Sequence, residues 1–313
     1  MNEIYSLRGV SFNNRIFVAS GTFGYGDEVA ELVELKRLGG IMTKSLSMKP
    51  RDGNPPPRIT ETASGMLNSI GLANIGVHKF IEEKIPALAR HPCAIIANIA
   101  ASSVEEYCGV LELLDPYKRV DGFEINVSCP NVKEGGLSFG TDPRKVALIT
   151  KELRKRTQKP LIVKLTPNVT HISEFARAAE TEGADAVSVI NTLIGMAVNI
   201  RTRKPKLSTV TGGLSGPAIK PIALAKVFEV YKSVKIPVFG IGGIATWEDA
   251  VEFFLVGASA VQVGTQNFIN PRSASEIATG VAEYCTRNSI NDVSQLVGSC
   301  TADASASVIQ SWL

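Results

Sequence analysis

The chain has 313 residues, 44% of them hydrophobic, and 33 Lys and Arg against 30 Asp and Glu, for a net charge of +3. A chain of this size can bury a large core, the charge is too small to argue for nucleic acid, and no apolar run is long enough to span a bilayer. Five cysteines (Cys93, Cys108, Cys129, Cys285 and Cys300) form no Cys-x-x-Cys pair, which argues against a disulfide scaffold, zinc or an iron–sulfur cluster within this chain and for a reducing cytoplasm.

In chain order, short β-branched runs alternate with longer amphipathic stretches. The runs predict strands over Arg15–Ser20, Gly40–Ser45, Cys93–Ile99, Gly122–Ser128, Leu161–Thr166, Ala186–Asn191, Pro237–Gly242 and Ala260–Thr265. Helices are expected over Asp27–Leu38, Val104–Leu114, Pro143–Arg156, Ile172–Glu182, Pro217–Val234 and Thr246–Val256. Ser103, Asp142 and Thr246 stand where N-caps belong, and Gly39, Gly183 and Gly257 where C-caps belong. Near-continuous apolar runs point to parallel strands covered on both faces. Such β/α units, eight in this length, predict one (β/α)₈ TIM barrel over residues 1–313, with long loops at about 46–75 and 192–216 over its active site. A doubly wound sheet is the rival, but no Gly-x-Gly-x-x-Gly follows the first strand.

Catalytic groups of such a barrel sit at the C-terminal strand ends. Read in order, those ends carry Ser20; Lys44 and Ser45; Asn98; Asn126 and Cys129; Lys164 and Thr166; Asn191 and Thr192; Gly242 and Gly243; Gly264 and Thr265. A barrel that merely filled space would place Val, Leu or Ile at many of them. The Gly-Ile-Gly-Gly run at 240–243, Val-Gly-Thr at 263–265 and Gly-Gly-Leu-Ser-Gly at 212–216 are suited to a phosphate. A phosphorylated sugar or a flavin mononucleotide would satisfy them. Lys44 and Lys164 interrupt apolar strands, so each needs a charge partner or a chemical task. Neutralising a reduced flavin and forming a Schiff base are two such tasks, and Glu124 is a possible structural partner.

The loop after the second strand holds three prolines, Pro55–Pro57, expected to form a stiff extended arm, and Asn68-Ser69-Ile70-Gly71-Leu72. The later loop, with Arg201, Arg203, Lys204 and Lys206, reads as a lid or an excursion. Asn68, Asn126 and Asn191 are expected around the mouth, with Asn98 and Thr192 nearby. Amides both donate and accept, so the set suits a planar ring with alternating N–H and C=O groups, such as a pyrimidine. His78, His91 and His171 sit away from strand ends. Cys129, in a turn stiffened by Pro130, is therefore the candidate general base.

These residues resemble dihydroorotate dehydrogenase of the class 1 type, from about Leu7 to Ile269. The likeness is strongest in Asn126-Val-Ser-Cys-Pro-Asn-Val-Lys-Glu-Gly-Gly136, with support from Val18–Gly21, Gly65–Leu72 and Val261–Thr265. The resemblance implies an FMN-containing barrel that oxidises dihydroorotate to orotate in pyrimidine biosynthesis. It implies that Cys129 takes the C5 proton while hydride passes from C6 to flavin N5, with Lys164 stabilising the reduced ring. It puts Lys44, Asn68, Ser69, Ile70, Gly71, Leu72, Asn126, Asn191 and Thr192 around the substrate. It puts Ser20, Lys44, Ser45, Asn98, Asn126, Lys164, Ile190, Gly216, Gly242, Gly243, Gly264 and Thr265 against FMN. Class 2 members use a serine base and a membrane segment, which Cys129 and the plain N-terminus do not match.

Gly53–Arg58, Glu61, Thr62 and Asn68–Leu72 look like the NAD-linked subclass, although Ala73 stands where glutamine is usual. That likeness implies a homodimer, assembled into a heterotetramer with a subunit carrying FAD and an iron–sulfur cluster, no membrane anchor and a cytoplasmic location. The alternatives are a fumarate-linked class 1A enzyme, a dihydropyrimidine dehydrogenase-like flavoprotein, a Schiff-base lyase using Lys164, and a barrel that has lost catalysis.

Overall fold

The computed structural model of the chain describes residues 4–128 and 139–301. Eight parallel strands close into a barrel: β1 (Ile16–Val18), β2 (Gly40–Met42), β3 (Ala94–Ile99), β4 (Gly122–Asn126), β5 (Leu161–Leu165), β6 (Ala186–Val189), β7 (Val238–Ile241) and β8 (Ala260–Val263). Each pairs with its neighbours in sequence order, and β8 closes on β1 through Val261↔Ile16 and Val263↔Val18. All eight predicted strands are present, shortened by up to three residues.

Alternation along the strands sorts side chains into two cores. Those facing outward join the helices in one large apolar layer. Those facing inward start, at the N-terminal end, with Phe17, Met42, Ile96, Ile162, Ala186, Phe239 and Ala260. The hairpin Tyr5–Leu7/Val10–Phe12 closes this end of the barrel. Its Phe12 ring lies 5.1 Å from Phe17, and Tyr5 lies 6.0 Å from Phe239. Burying each aromatic ring contributes about 1.5–3 kcal/mol, so the lumen floor is a packed plug.

The helix starts follow their caps. The Ser103 hydroxyl accepts from the Glu106 amide ahead of Val104–Leu114, and Asp142 accepts from Arg144 ahead of Pro143–Arg154. Thr246 and Asp249 form a capping box at Trp247–Leu255. The stretch after Gly216 is a 3₁₀ turn at Pro217–Ile219 that runs into the helix Lys220–Tyr231.

Several expectations are corrected. Asp27–Leu38 is not one helix but two 3₁₀ turns, Asp27–Val29 and Leu35–Arg37. Its apolar residues do not make one buried stripe: Val33, Leu35 and Leu38 are buried while Leu32 is exposed. Lys84 instead ties down the first turn through Asp27 and Glu28, both at 2.9 Å. Gly39 is not a left-handed cap; a Cβ there would meet the Asn14 carbonyl oxygen at 2.3 Å, so close packing requires glycine. The proline arm is not uniformly extended, because the Pro56–Pro57 bond is cis.

The two long loops are not loops throughout. They contribute Ile59–Thr62, Gly65–Asn68, Leu193–Gly195 and Gly212–Ser215 to one antiparallel four-stranded sheet. The cationic excursion adds a small hairpin, Val198–Asn199 with Lys204–Pro205.

Candidate active site

One step above the apolar floor, the inward positions turn polar. Asn98 of β3, Glu124 of β4, Lys164 of β5, Ser188 of β6 and Gln262 of β8 are all buried, and Glu124 is fully so. Asn98, Lys164, Ser188 and Gln262 each lie two residues beyond an apolar floor residue on their strands, and Glu124 two beyond the buried Gly122, so the pleat fixes this layer once the floor is packed. A buried carboxylate demands donors, and this one has them. Glu124 Oε1 accepts from Ser188 Oγ at 2.8 Å and from Gln262 Nε2 at 2.7 Å. Its Oε2 accepts from Asn98 Nδ2 at 2.6 Å and lies 3.8 Å from Lys164 Nζ. Ser45 donates to Asn98 Oδ1 at 2.6 Å, extending the chain of bonds to the loop after β2. Sequence reading flagged Lys164, Asn98, Ser45 and the possible partner Glu124. It missed Ser188 and Gln262, whose only signal was a polar residue at an inward-facing position.

The mouth lies above this layer. Asn191 Nδ2 donates to Asn126 Oδ1 at 3.2 Å, bringing two of the expected amides together. The Asn126 carbonyl accepts from the buried Tyr107 hydroxyl at 2.6 Å, which fixes the end of β4. The Thr192 amide donates to Asn191 Oδ1, and its carbonyl accepts from Asn168 Nδ2 at 3.0 Å. Ile190 is buried, and its amide bonds the Ile241 carbonyl beside β7. Cys129, the proposed base, lies outside the described residues. Ser128, just before it, has a buried hydroxyl without a partner among the described residues.

The four-stranded sheet brings Asn68 to the mouth, where its Nδ2 donates to the Gly213 carbonyl at 3.3 Å. The turn from Ser69 to Leu72 is stitched to the proline arm. The Ser69 amide donates to the Arg58 carbonyl at 2.7 Å, the Asn54 amide to the Ile70 carbonyl at 3.1 Å, and Asn54 Nδ2 to the Ser69 carbonyl at 3.0 Å. The Ser69 amide is thus already committed, whereas its hydroxyl is buried and unpartnered among the described residues. Lys44 lies beyond β2 rather than within it, with its amide on the Gly24 carbonyl at 2.9 Å. Burial holds its ammonium below the ordinary lysine range; Glu28 opposes that shift and Arg58 adds to it.

The ends of β7 and β8 are glycine turns. Gly242 and Gly243 have φ of 126° and 76°, a backbone that side chains rarely adopt, and a Cβ on Gly243 would strike Lys220 at 2.7 Å. A Cβ on Gly264 would make ordinary contact with Ala19 at 3.6 Å and Thr22 at 4.0 Å, so packing alone does not demand glycine there. Thr265 donates to Ser215 Oγ at 2.8 Å, joining the β8 end to the strand that leads into Gly216. Ser20 follows β1, next to β8 in the barrel. This glycine-lined rim, the hydroxyls of Ser69 and Ser128 without partners among the described residues, and the polar layer with Lys164 below fit a planar cofactor with a phosphate tail. Among the described residues no cluster of His, Cys, Asp and Glu is suited to a metal, and no helix is long and apolar enough to cross a membrane.

The fold and site define a (β/α)₈ enzyme barrel whose glycine-lined rim and charged lumen share one mouth. A family model for dihydroorotate dehydrogenase matches residues 4–284. The chain is 52% identical to the dihydroorotate dehydrogenase B (NAD(+)) catalytic subunit of Thermoanaerobacter sp. (strain X514), over 97% of this chain and 100% of that one. It is also 52% identical to the protein of the same name from Geobacter metallireducens, over 93% and 96% of the two chains. A crystal structure of DHODH from Eimeria tenella in complex with ferulenol aligns with a TM-score of 0.77 and 22% identity, covering 95% of this chain and 88% of that one. At that identity the last likeness speaks for the barrel alone. The chain belongs to the dihydroorotate dehydrogenase family.

Proposed function

We propose that this chain is the catalytic subunit of an NAD-linked dihydroorotate dehydrogenase, oxidising dihydroorotate to orotate in pyrimidine biosynthesis. The observation that carries this reading is the lumen layer around Glu124 and Lys164, set beneath a mouth of amides and a glycine rim in a chain of this family. FMN, when bound, supplies the two-electron acceptor.

The chain's own residues do the rest. Gly216, Gly242, Gly243, Gly264 and Thr265 hold the phosphate end, while Ser20, Ser45, Asn98 and Ile190 flank the ring. Lys164 presents its ammonium to the charge that grows on the ring during reduction, in a lumen where water cannot screen it. Asn68, Asn126, Asn191 and Thr192 read the alternating N–H and C=O edge of the substrate. Lys44 and the Ser69–Leu72 turn face its carboxylate. Cys129, as thiolate, takes the C5 proton.

The relatives' names mark them as one subunit of a larger enzyme. Those names support a partner subunit, and the likeness of Gly53–Arg58 and Asn68–Leu72 to the NAD-linked subclass extends the proposal to a cytoplasmic homodimer, joined in a heterotetramer to a subunit that carries FAD and an iron–sulfur cluster. The test is anaerobic titration of the flavin-loaded protein. Dihydroorotate is expected to bleach the flavin and dihydrouracil is not. Bleaching by dihydrouracil alone would favour a dihydropyrimidine dehydrogenase-like enzyme, and purification without any flavin would sink the FMN assignment.

A further inference from the structure

Glu124 has no part in the chemistry above, yet it is the most heavily bonded side chain in the lumen. Its carboxylate gathers Ser188 Oγ, Gln262 Nε2 and Asn98 Nδ2 within 2.6–2.8 Å, and stands 3.8 Å from Lys164 Nζ. These donors come from β6, β8 and β3, so one group on β4 links most of the barrel's circumference. A purely structural polar cluster could be built from neutral groups. Here Gln262 gives its N–H to the carboxylate and leaves its Oε1 buried without a partner among the described residues. Reversing the Gln262 amide would set oxygen against oxygen, so the charge on Glu124 dictates its orientation. The same bond turns the Asn98 amide, whose oxygen then receives Ser45.

We infer that Glu124 is a positioning residue that holds Lys164 and Asn98 in place and sets the reduction potential of the flavin above them. The inference rests on the FMN reading of this mouth. Lys164 in the lumen and Lys44 just beyond β2 bring two positive charges to this end of the barrel, and Glu124 brings one negative charge that water does not screen. A fixed anion beside Lys164 weakens the pull of that ammonium on an anionic reduced ring. Glu124 therefore keeps the potential lower than two uncompensated lysines would. That suits a flavin that must pass its electrons on rather than keep them.

The experiment compares the midpoint potential of bound FMN in the wild type and in Glu124→Gln, by anaerobic equilibration with a reference dye. The preference for reduced over oxidised flavin is expected to rise at least tenfold, or about 30 mV for a two-electron couple. Lys164→Gln is expected to move it the opposite way, and the double variant to return near the wild type. An unchanged potential in a folded, flavin-loaded Glu124→Gln protein would overturn the inference and leave the FMN reading intact. Failure of the wild type to hold FMN would overturn both. If Glu124→Gln does not fold, Glu124→Asp takes its place: the shorter carboxylate draws back from the ammonium. The same preference should then rise at least threefold, and no movement would equally overturn the inference.

Discussion

Only the thiolate form of a cysteine accepts a proton, and a free thiol titrates near about 8.5. Turnover is therefore expected to climb with pH through that titration, and a flat profile would count against the thiol. Cys129→Ala is expected to keep its flavin and bind orotate, but to slow flavin reduction by about 10²–10⁴-fold in stopped-flow absorbance. Lys44 poses the opposite question, what a residue costs the fold. Burial, set against Glu28 and helped by Arg58, holds its folded pKa below the unfolded value. Between the two values the unfolded chain binds more protons, so stability rises with pH there, and below both the full penalty is present. Lys44→Met should thus raise the denaturation midpoint of flavin-free protein at neutral pH. That gain should shrink as pH approaches about 10.4. Loss of a charged contact to the substrate should lower turnover about tenfold or more. A variant that is both less stable at neutral pH and fully active would refute this reading.

At the scale of elements, the helix Trp247–Leu255 shows local chemistry acting as the sequence suggested. Its Asp249 closes the capping box with Thr246 and binds Lys220 at 2.6 Å. Burial works against its charge, but the hydrogen bonds from Lys220 and from the Ala245 and Thr246 amides hold its pKa below the usual carboxylate range. The folded value being depressed, its contribution is complete above the unfolded pKa of about 3.9 and is lost as pH falls through the folded one. Asp249→Ala should cost about 1 kcal/mol at neutral pH, with the gap from wild type closing in acid. Denaturant titration at the two pH values checks this, and a gap that widens in acid would contradict it. The barrel strands and the caps at Ser103, Asp142 and Thr246 were legible because each is a local signal. The sheet over the mouth was not. Ile59–Thr62 and Gly65–Asn68 are half exposed, Gly212–Ser215 begins with two glycines, and the pairing that joins the Ile59–Asn68 hairpin to Gly212–Ser215 spans a long stretch of chain. Lys164, Asn98 and Asn126 announced themselves as polar residues at the ends of apolar strands. Ser188 and Gln262 become readable only once the pleat says which residues face inward.

Across the whole molecule, stability and chemistry lie at opposite ends of one barrel. The N-terminal hairpin and the rings of Phe12, Phe17 and Phe239 fill the lower lumen, and the charged layer begins immediately above. Phe12→Ala should cost about 3–5 kcal/mol, seen as a fall in denaturation midpoint, while the potential of bound flavin stays unchanged. A large shift in potential would mean that the two halves of the lumen are not separable. The most direct examination of the whole reading is a crystal structure of the protein grown with FMN and orotate. The flavin ring should lie over Lys164 and Asn98 with its phosphate at Gly242, Gly243 and Gly264, and orotate should sit between that ring and the Cys129 sulfur. A flavin bound elsewhere, or a Cys129 sulfur remote from the orotate ring, would contradict it.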